Sequence, residues 1–145
     1  EFLITRKNAM DDIIKALSSR YYKTDKKIRD TIADIIRYEA KQGNTIIVGR
    51  AGAITTADIP GGLHIRLVAP FHWRVIELSK RKTLAIKEIE DYILENDRKR
   101  RLLLEQFAAK KPYEVYLDLV INIARFSHQE IISLILNTMK MKGLI

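Results

Sequence analysis

Three short apolar runs constrain the fold of this 145-residue chain more than any other feature. Residues 45–49 (Thr-Ile-Ile-Val-Gly), 63–68 (Leu-His-Ile-Arg-Leu-Val) and 117–122 (Leu-Asp-Leu-Val-Ile-Asn) are rich in β-branched and leucine side chains. The first, uninterrupted by polar residues, suits a strand covered on both faces, as in a parallel sheet. Parallel strands need crossover connections of a dozen residues or more, usually helical. The intervening segments have that character.

Residues 10–17 carry Met10, Ile13, Ile14 and Leu17 at helical spacing. Thr24 or Asp25 is placed to cap a second helix, with Ile28, Ile32, Ile35 and Ile36 on one face and Gly43 as its stop. Pro60-Gly61-Gly62 marks a turn before the second run. Pro70 is placed to open a helix reaching Arg81, with Trp73, Val75, Ile76 and Leu78 for packing. A long charged helix is expected from about Leu84 to Phe107, with Ile89, Ile93 and Leu94 on one side. The last helix has the sharpest signal: Ser127-His128-Gln129-Glu130 fits the S-x-x-E capping box, and Ile131, Ile132, Ile135, Leu136 and Met139 supply its apolar stripe. Short strands alternating with helices predict an α/β fold with a mostly parallel sheet, residues 45–49, 64–68 and 117–122 lying side by side.

Charge narrows the partners. Lys and Arg number 26 against 18 Asp and Glu, a formal net charge of +8. That balance favours anionic partners: nucleotides, nucleic acid or an anionic surface. The basic residues are not interleaved with aromatics and form no nucleic-acid motif, which argues against nucleic acid. No run of eighteen apolar residues is present, so no membrane span is expected, and the first residues lack the pattern of a secretory signal. A cytoplasmic location is the corresponding expectation. With no cysteine, disulfides and thiolate metal centres are excluded. His64, His72 and His128 have no metal-ligand spacing.

Four segments, in order and at matching spacing, resemble the cytidylate-kinase-like family of P-loop nucleoside monophosphate kinases. They are the strand ending in Gly49-Arg50, the strand and helix entry Leu67-Val68-Ala69-Pro70-Phe71-His72-Trp73-Arg74, the helix segment Glu95-Asn96-Asp97-Arg98-Lys99-Arg100-Arg101, and Tyr116-Leu117-Asp118-Leu119-Val120-Ile121-Asn122-Ile123-Ala124-Arg125. The likeness covers roughly residues 24–139. It implies one partial nucleotide-kinase-like domain over 1–145. The implied fold is a three-layer P-loop kinase-like one with a mostly parallel sheet, and a lid-like charged segment at about 82–112. The sparse apolar positions of that segment predict few contacts with the core.

The resemblance also implies a reaction: transfer of a phosphoryl group from ATP, with Mg²⁺, to CMP or a related acceptor. Such transfer depends on positioning and on positive charge around the phosphoryl oxygens rather than on a catalytic base. By resemblance, Arg50 binds the acceptor phosphate, Asp97 helps hold the acceptor, Arg98 and Arg101 of the lid touch the transferring phosphates, and Arg125 lies beside the adenine ring. The register of the lid leaves Arg100 as an alternative to Arg98 or Arg101. Arg74 faces the phosphates or pairs with Glu77, Asp118 accepts hydrogen bonds near a strand start, His64 and Trp73 pack, and His128 opens the last helix at the surface.

Two departures stand against the family pattern. The six glycines, at 43, 49, 52, 61, 62 and 143, form no G-x-x-x-x-G-K-[ST] or other Gly-rich phosphate loop. The N-terminal strand and loop of the family are therefore missing from this sequence, and the chain alone is expected to be inactive. Ile123-Ala124 also replace the small hydroxyl residues usual beside the adenine. The alternative reading is a non-catalytic nucleotide- or nucleic-acid-binding module, a degenerate relative of the kinases. The sequence leaves the oligomeric state open.

Overall fold

A computed structural model of the protein describes residues 26–108 and 111–145. The chain divides into two compact units, the first ending at Ile47 and the second running from Val48 to Ile145. The expected helix at 10–17 and the caps Thr24 and Asp25 lie outside the described residues.

In the first unit, α1 (Lys26–Gln42) presents the isoleucine face expected of it: Ile36 is buried and Ile28, Ile32 and Ile35 are half-buried. Gly43 comes next at φ 70°, in the left-handed region open to glycine, and its amide donates to the Ala40 carbonyl at 3.2 Å.

The second unit holds α2 (Gly52–Thr55), β1 (Ile65–Val68), α3 (Phe71–Ser79), α4 (Ile86–Phe107), a 3₁₀ turn (Tyr113–Tyr116), β2 (Leu119–Asn122) and α5 (His128–Met141). β1 and β2 pair in parallel, Ile65 opposite Leu119 through Val68 opposite Asn122, with two helices in the crossover between them. Two of the three expected strands are thus neighbours in the expected orientation.

Residues 45–49 do not form the expected strand. Ile46 is 90% exposed and Val48 74%, and among the described residues the only ladder joins β1 to β2. Apolar, β-branched composition favours extended backbone, but a strand exists only when a neighbour accepts its amides and donates to its carbonyls.

The apolar centre of the second unit lies between α3 and α4. Val75, Ile89 and Ile93 cluster there with Leu78 against them, and Ile89 has no solvent exposure. Ile89 and Ile93, four apart, share one face of α4. The charged segment is therefore anchored at its start, contrary to the expectation that 82–112 makes few core contacts. Its two isoleucines outweigh the charges around them. Beyond Asp97 the expected openness returns, and residues 98–102 are exposed.

The caps obey the residues. Pro70, with φ fixed near −60°, precedes α3 and its carbonyl accepts the Arg74 amide at 3.1 Å. The Glu88 carboxylate accepts the Ala85 amide at 2.8 Å at the start of α4. At α5 the capping box is complete: Ser127 Oγ accepts the Glu130 amide at 3.3 Å and Glu130 Oε2 accepts the Ser127 amide at 2.7 Å. Those bonds from Ser127 hold the Glu130 carboxyl below its ordinary range.

Candidate functional site: an arginine bend and a cationic helix

Gly49, Arg50 and Ala51 are consecutive residues with φ of 74°, 55° and 55°. For an L-residue the left-handed region costs roughly 1–2 kcal/mol, because Cβ crowds the following carbonyl. Gly49 escapes this, whereas Arg50 and Ala51 do not. The short helix α2 holds the bend in place. The Gly52 amide donates to Gly49 O at 2.9 Å, and the amides of Ile54 and Thr55 both reach Ala51 O at 3.0 Å. The Thr55 hydroxyl adds a bond to Ala51 O at 2.8 Å. Ala51, Gly52, Thr55 and Thr56 are buried, so the bend is pinned from within while Arg50 is half-exposed. α2, which begins two residues after Arg50, packs against α4 and the 3₁₀ turn. The sequence-predicted arginine thus sits on a strained bend whose helix touches the charged helix.

On α4, Asp97 is gripped from another element. Arg74 of α3 donates from Nη1 to Asp97 Oδ1 at 2.9 Å and from Nη2 to Oδ2 at 2.7 Å, a bidentate pair. Arg100 Nη1 adds a contact to Oδ1 at 3.1 Å. The Arg74 hydrogen bonds hold the Asp97 carboxyl below its ordinary range against the opposing effect of partial burial. The Arg74 guanidinium also lies 5.9 Å from the centre of the Phe71 ring. Its Nε is inaccessible and has no acceptor among the described residues. Arg74 was expected either at phosphates or on Glu77; instead Glu77 takes Lys80, and Arg74 takes Asp97 twenty-three residues away.

The lid arginines differ in what they already hold. Arg98 gives Nε and Nη2 to Glu95 at 2.8 and 2.9 Å, and this pairing, joined by Lys99, brings the Glu95 carboxyl down to about 2. Arg100 is on Asp97. Arg101 is exposed and forms no ion pair among the described residues. Arg125 stands exposed in the turn after β2, with its amide on Asn122 O at 3.0 Å. Of the sequence-predicted residues, then, the structure links Asp97 to the neighbouring Arg100 and to Arg74. It ties Arg98 into a local pair and leaves Arg101 and Arg125 open to solvent.

A second polar cluster occupies the amino-terminal edge of the sheet. Asp118 Oδ2 accepts the His64 amide at 2.7 Å, the strand-start role expected of it, and Lys142 Nζ meets Oδ1 at 2.6 Å. The His64 ring has Nε2 2.9 Å from Thr56 Oγ1 and Nδ1 3.5 Å from Asp118 Oδ2. Partial burial pushes the Asp118 carboxyl up, but the His64 amide and Lys142 outweigh it and the net displacement is downward. Thr–His–Asp in sequence of contact is the order of a nucleophilic triad, but Thr56 is buried and its hydroxyl is 2.9 Å from the Gly52 carbonyl. This threonine is a helix-end hydrogen-bonding group rather than a nucleophile.

The second unit is thus a small parallel α/β unit with an arginine on a strained bend and a helix carrying paired and unpaired arginines. The profile of the cytidylate kinase-like family matches residues 3–125, and the chain belongs to that family. Uronate isomerase of Corynebacterium glutamicum is 26% identical over 128 residues, covering 88% of this chain and 24% of that protein. The chain therefore spans about a quarter of the length of that curated relative. No solved structure matches. Among the described residues no helix is long and apolar enough to cross a membrane.

Proposed function

We propose that this chain is the acceptor-side and lid portion of a nucleotide phosphotransferase that moves a phosphoryl group from ATP to CMP or a related monophosphate. The observation that carries the reading is the Gly49–Arg50–Ala51 bend, in a chain of this family. Strain at two non-glycine residues persists only where surrounding bonds over-determine it, and such sites cluster where a ligand must be met in a fixed geometry. Arg50 is the one residue of the bend with phosphate-binding chemistry, and its fork matches two phosphate oxygens at once.

In this reading Arg50 holds the acceptor phosphate. Arg101 of α4, with no ion pair to release among the described residues, approaches the transferring group. Arg98 stays on Glu95 until a phosphate competes for it, and Asp97, already held by Arg74, presents a fixed edge to the acceptor. Arg125 lies against the adenine. A three-layer fold is supported by the sheet itself: Leu67 and Val120 are half-exposed on opposite faces of β1 and β2, where a parallel sheet is ordinarily covered. Mg²⁺, which nucleotide sites hold through one or two carboxylates and the phosphates themselves, enters this reading together with ATP through the family resemblance.

The test is phosphoryl transfer from ATP to a panel of monophosphates by the whole protein, with Arg50→Ala and Arg50→Lys. Loss of a bidentate charge-assisted pair is worth about 1.5–3 kcal/mol, so Arg50→Ala should lower kcat/KM by roughly ten- to a hundredfold. Arg50→Lys should restore part of it, since a point charge cannot reproduce the fork. Wild-type kinetics in Arg50→Ala would remove Arg50 from the reaction. Nucleotide binding with no transfer in the wild type would favour the non-catalytic module, which the uncompensated +8 charge also suits.

A further inference from the structure

The carboxyl edge of the sheet ends in a turn whose course is set largely by one residue. Val68 and Asn122 lie opposite each other as the last residues of β1 and β2. The three amides that follow β2 are each tied back to this edge. The Ile123 amide donates to Val68 O at 2.9 Å, and the Arg125 amide donates to Asn122 O at 3.0 Å. Between them, the Ala124 amide donates to the side-chain carbonyl of Asn122, Oδ1, at 3.1 Å. Asn122 thus accepts two of the three bonds, one through its backbone and one through its side chain.

A side-chain carbonyl that takes the amide two residues on is the turn-forming bond of Asn and Asp, and it mimics a backbone turn. The bond is partly buried, so water competes for it less than on an open loop. With its three amides engaged, the turn has a fixed course, and it carries the exposed side chain of Arg125. In open parallel sheets ligands bind beyond the carboxyl ends of the strands, and both strands end here. A guanidinium stacks on an aromatic ring through its flat face, and a long arginine side chain loses less freedom in doing so when its backbone is already held.

We propose that Asn122 is a positioning residue for the base of the donor nucleotide. Its side chain fixes the turn at 123–125, and with it the direction from which Arg125 meets the base. The inference rests on the reading of Arg125 as the residue beside the adenine, and it adds the group through which that arginine is aimed. Asn122 itself touches no ligand in this role.

The test is equilibrium binding of ATP and of inorganic tripolyphosphate to the whole protein, by titration calorimetry, with thermal melting of every variant. Tripolyphosphate has the phosphate chain of ATP without the base. Loss of one partly buried hydrogen bond in Asn122→Ala should weaken ATP by about two- to tenfold and leave tripolyphosphate binding as in the wild type. Asn122→Asp keeps the accepting oxygen and should return most of the lost affinity. In an Arg125→Ala background, Asn122→Ala should cost nothing further, because it acts through the arginine. Three results would overturn the inference while leaving the phosphotransfer reading in place: Arg125→Ala weakens ATP but Asn122→Ala does not, Asn122→Ala weakens tripolyphosphate equally, or the two losses add in full. Unchanged ATP affinity in Arg125→Ala would instead remove Arg125 from the base, and the role of Asn122 would fall with it.

Discussion

The Arg74–Asp97 pair offers the sharpest test of how the charged helix is held. Two charge-assisted hydrogen bonds join α3 to α4, and the side chains are 31% and 36% exposed. Fully exposed ion pairs contribute about 0–1 kcal/mol, while hydrogen bonds to charged groups can reach about 1.5–3. A bidentate pair open to water for a third of its surface falls between these limits, and screening brings its coupling to about 1–2 kcal/mol. The measurement is a double-mutant cycle of Arg74→Met, Asp97→Ala and both, by urea unfolding. Trp73, the single tryptophan, lies beside Arg74 on α3 and reports on this unit. At a urea slope of about 1–3 kcal/mol/M, the coupling corresponds to a midpoint displacement of roughly 0.3–2 M. The two single variants should also differ. Asp97→Ala strands a guanidinium whose Nε already has no acceptor, whereas Arg74→Met removes that orphan along with the pair. Asp97→Ala should therefore be the more destabilising. A coupling below about 0.5 kcal/mol, or the reverse order, would refute this account of the anchor.

Ile89→Ala, at the fully buried centre of the α3–α4 packing, should cost about 2–5 kcal/mol, read from the same urea curves, with Leu94→Ala on the exposed side of α4 costing far less. The acid limb should report Asp97. Its carboxyl is depressed in the folded state, so its contribution is present above the unfolded value of about 3.9 and is lost as pH falls through the lower folded value. In melting curves from pH 6 to pH 2, the gap between wild type and Asp97→Asn should hold steady above about pH 5 and close below pH 4.

What the sequence disclosed and what it withheld divide along chain separation. Ser127 and Glu130 announce α5 because both halves of the capping box fall within one turn. Ile89 and Ile93 lie on the expected side of α4, but counting charges hides how firmly two isoleucines fix a helix. Residues 45–49 have strand composition and no ladder, since the hydrogen-bonding neighbour is not encoded in the run itself. The parallel pairing of β1 with β2 was legible because a long helical crossover leaves few other arrangements. Arg50 stands out by its position after Gly49, although nothing local showed that the bend would take three left-handed residues. That Arg74 takes Asp97, 23 residues away, and that the donor to Asp118 is His64, 54 residues away, could not be read from the sequence. Either arginine or aspartate, read alone, looks like an ordinary solvated charge.

The two-stranded sheet has a consequence for the protein in concentrated solution. Among the described residues, β1 and β2 pair only with each other, so each leaves one row of backbone donors and acceptors open. Leu67 and Val120 are half-exposed on the two faces of the sheet, and Ile46 and Val48 are exposed in the stretch 45–48, outside any ladder among the described residues. That combination is a template and a complementary ribbon carried by one polypeptide, and strand addition from a second copy needs no unfolding to begin. The surplus of positive charge is the counterweight, since it keeps like molecules apart at low ionic strength and ceases to do so when salt screens it.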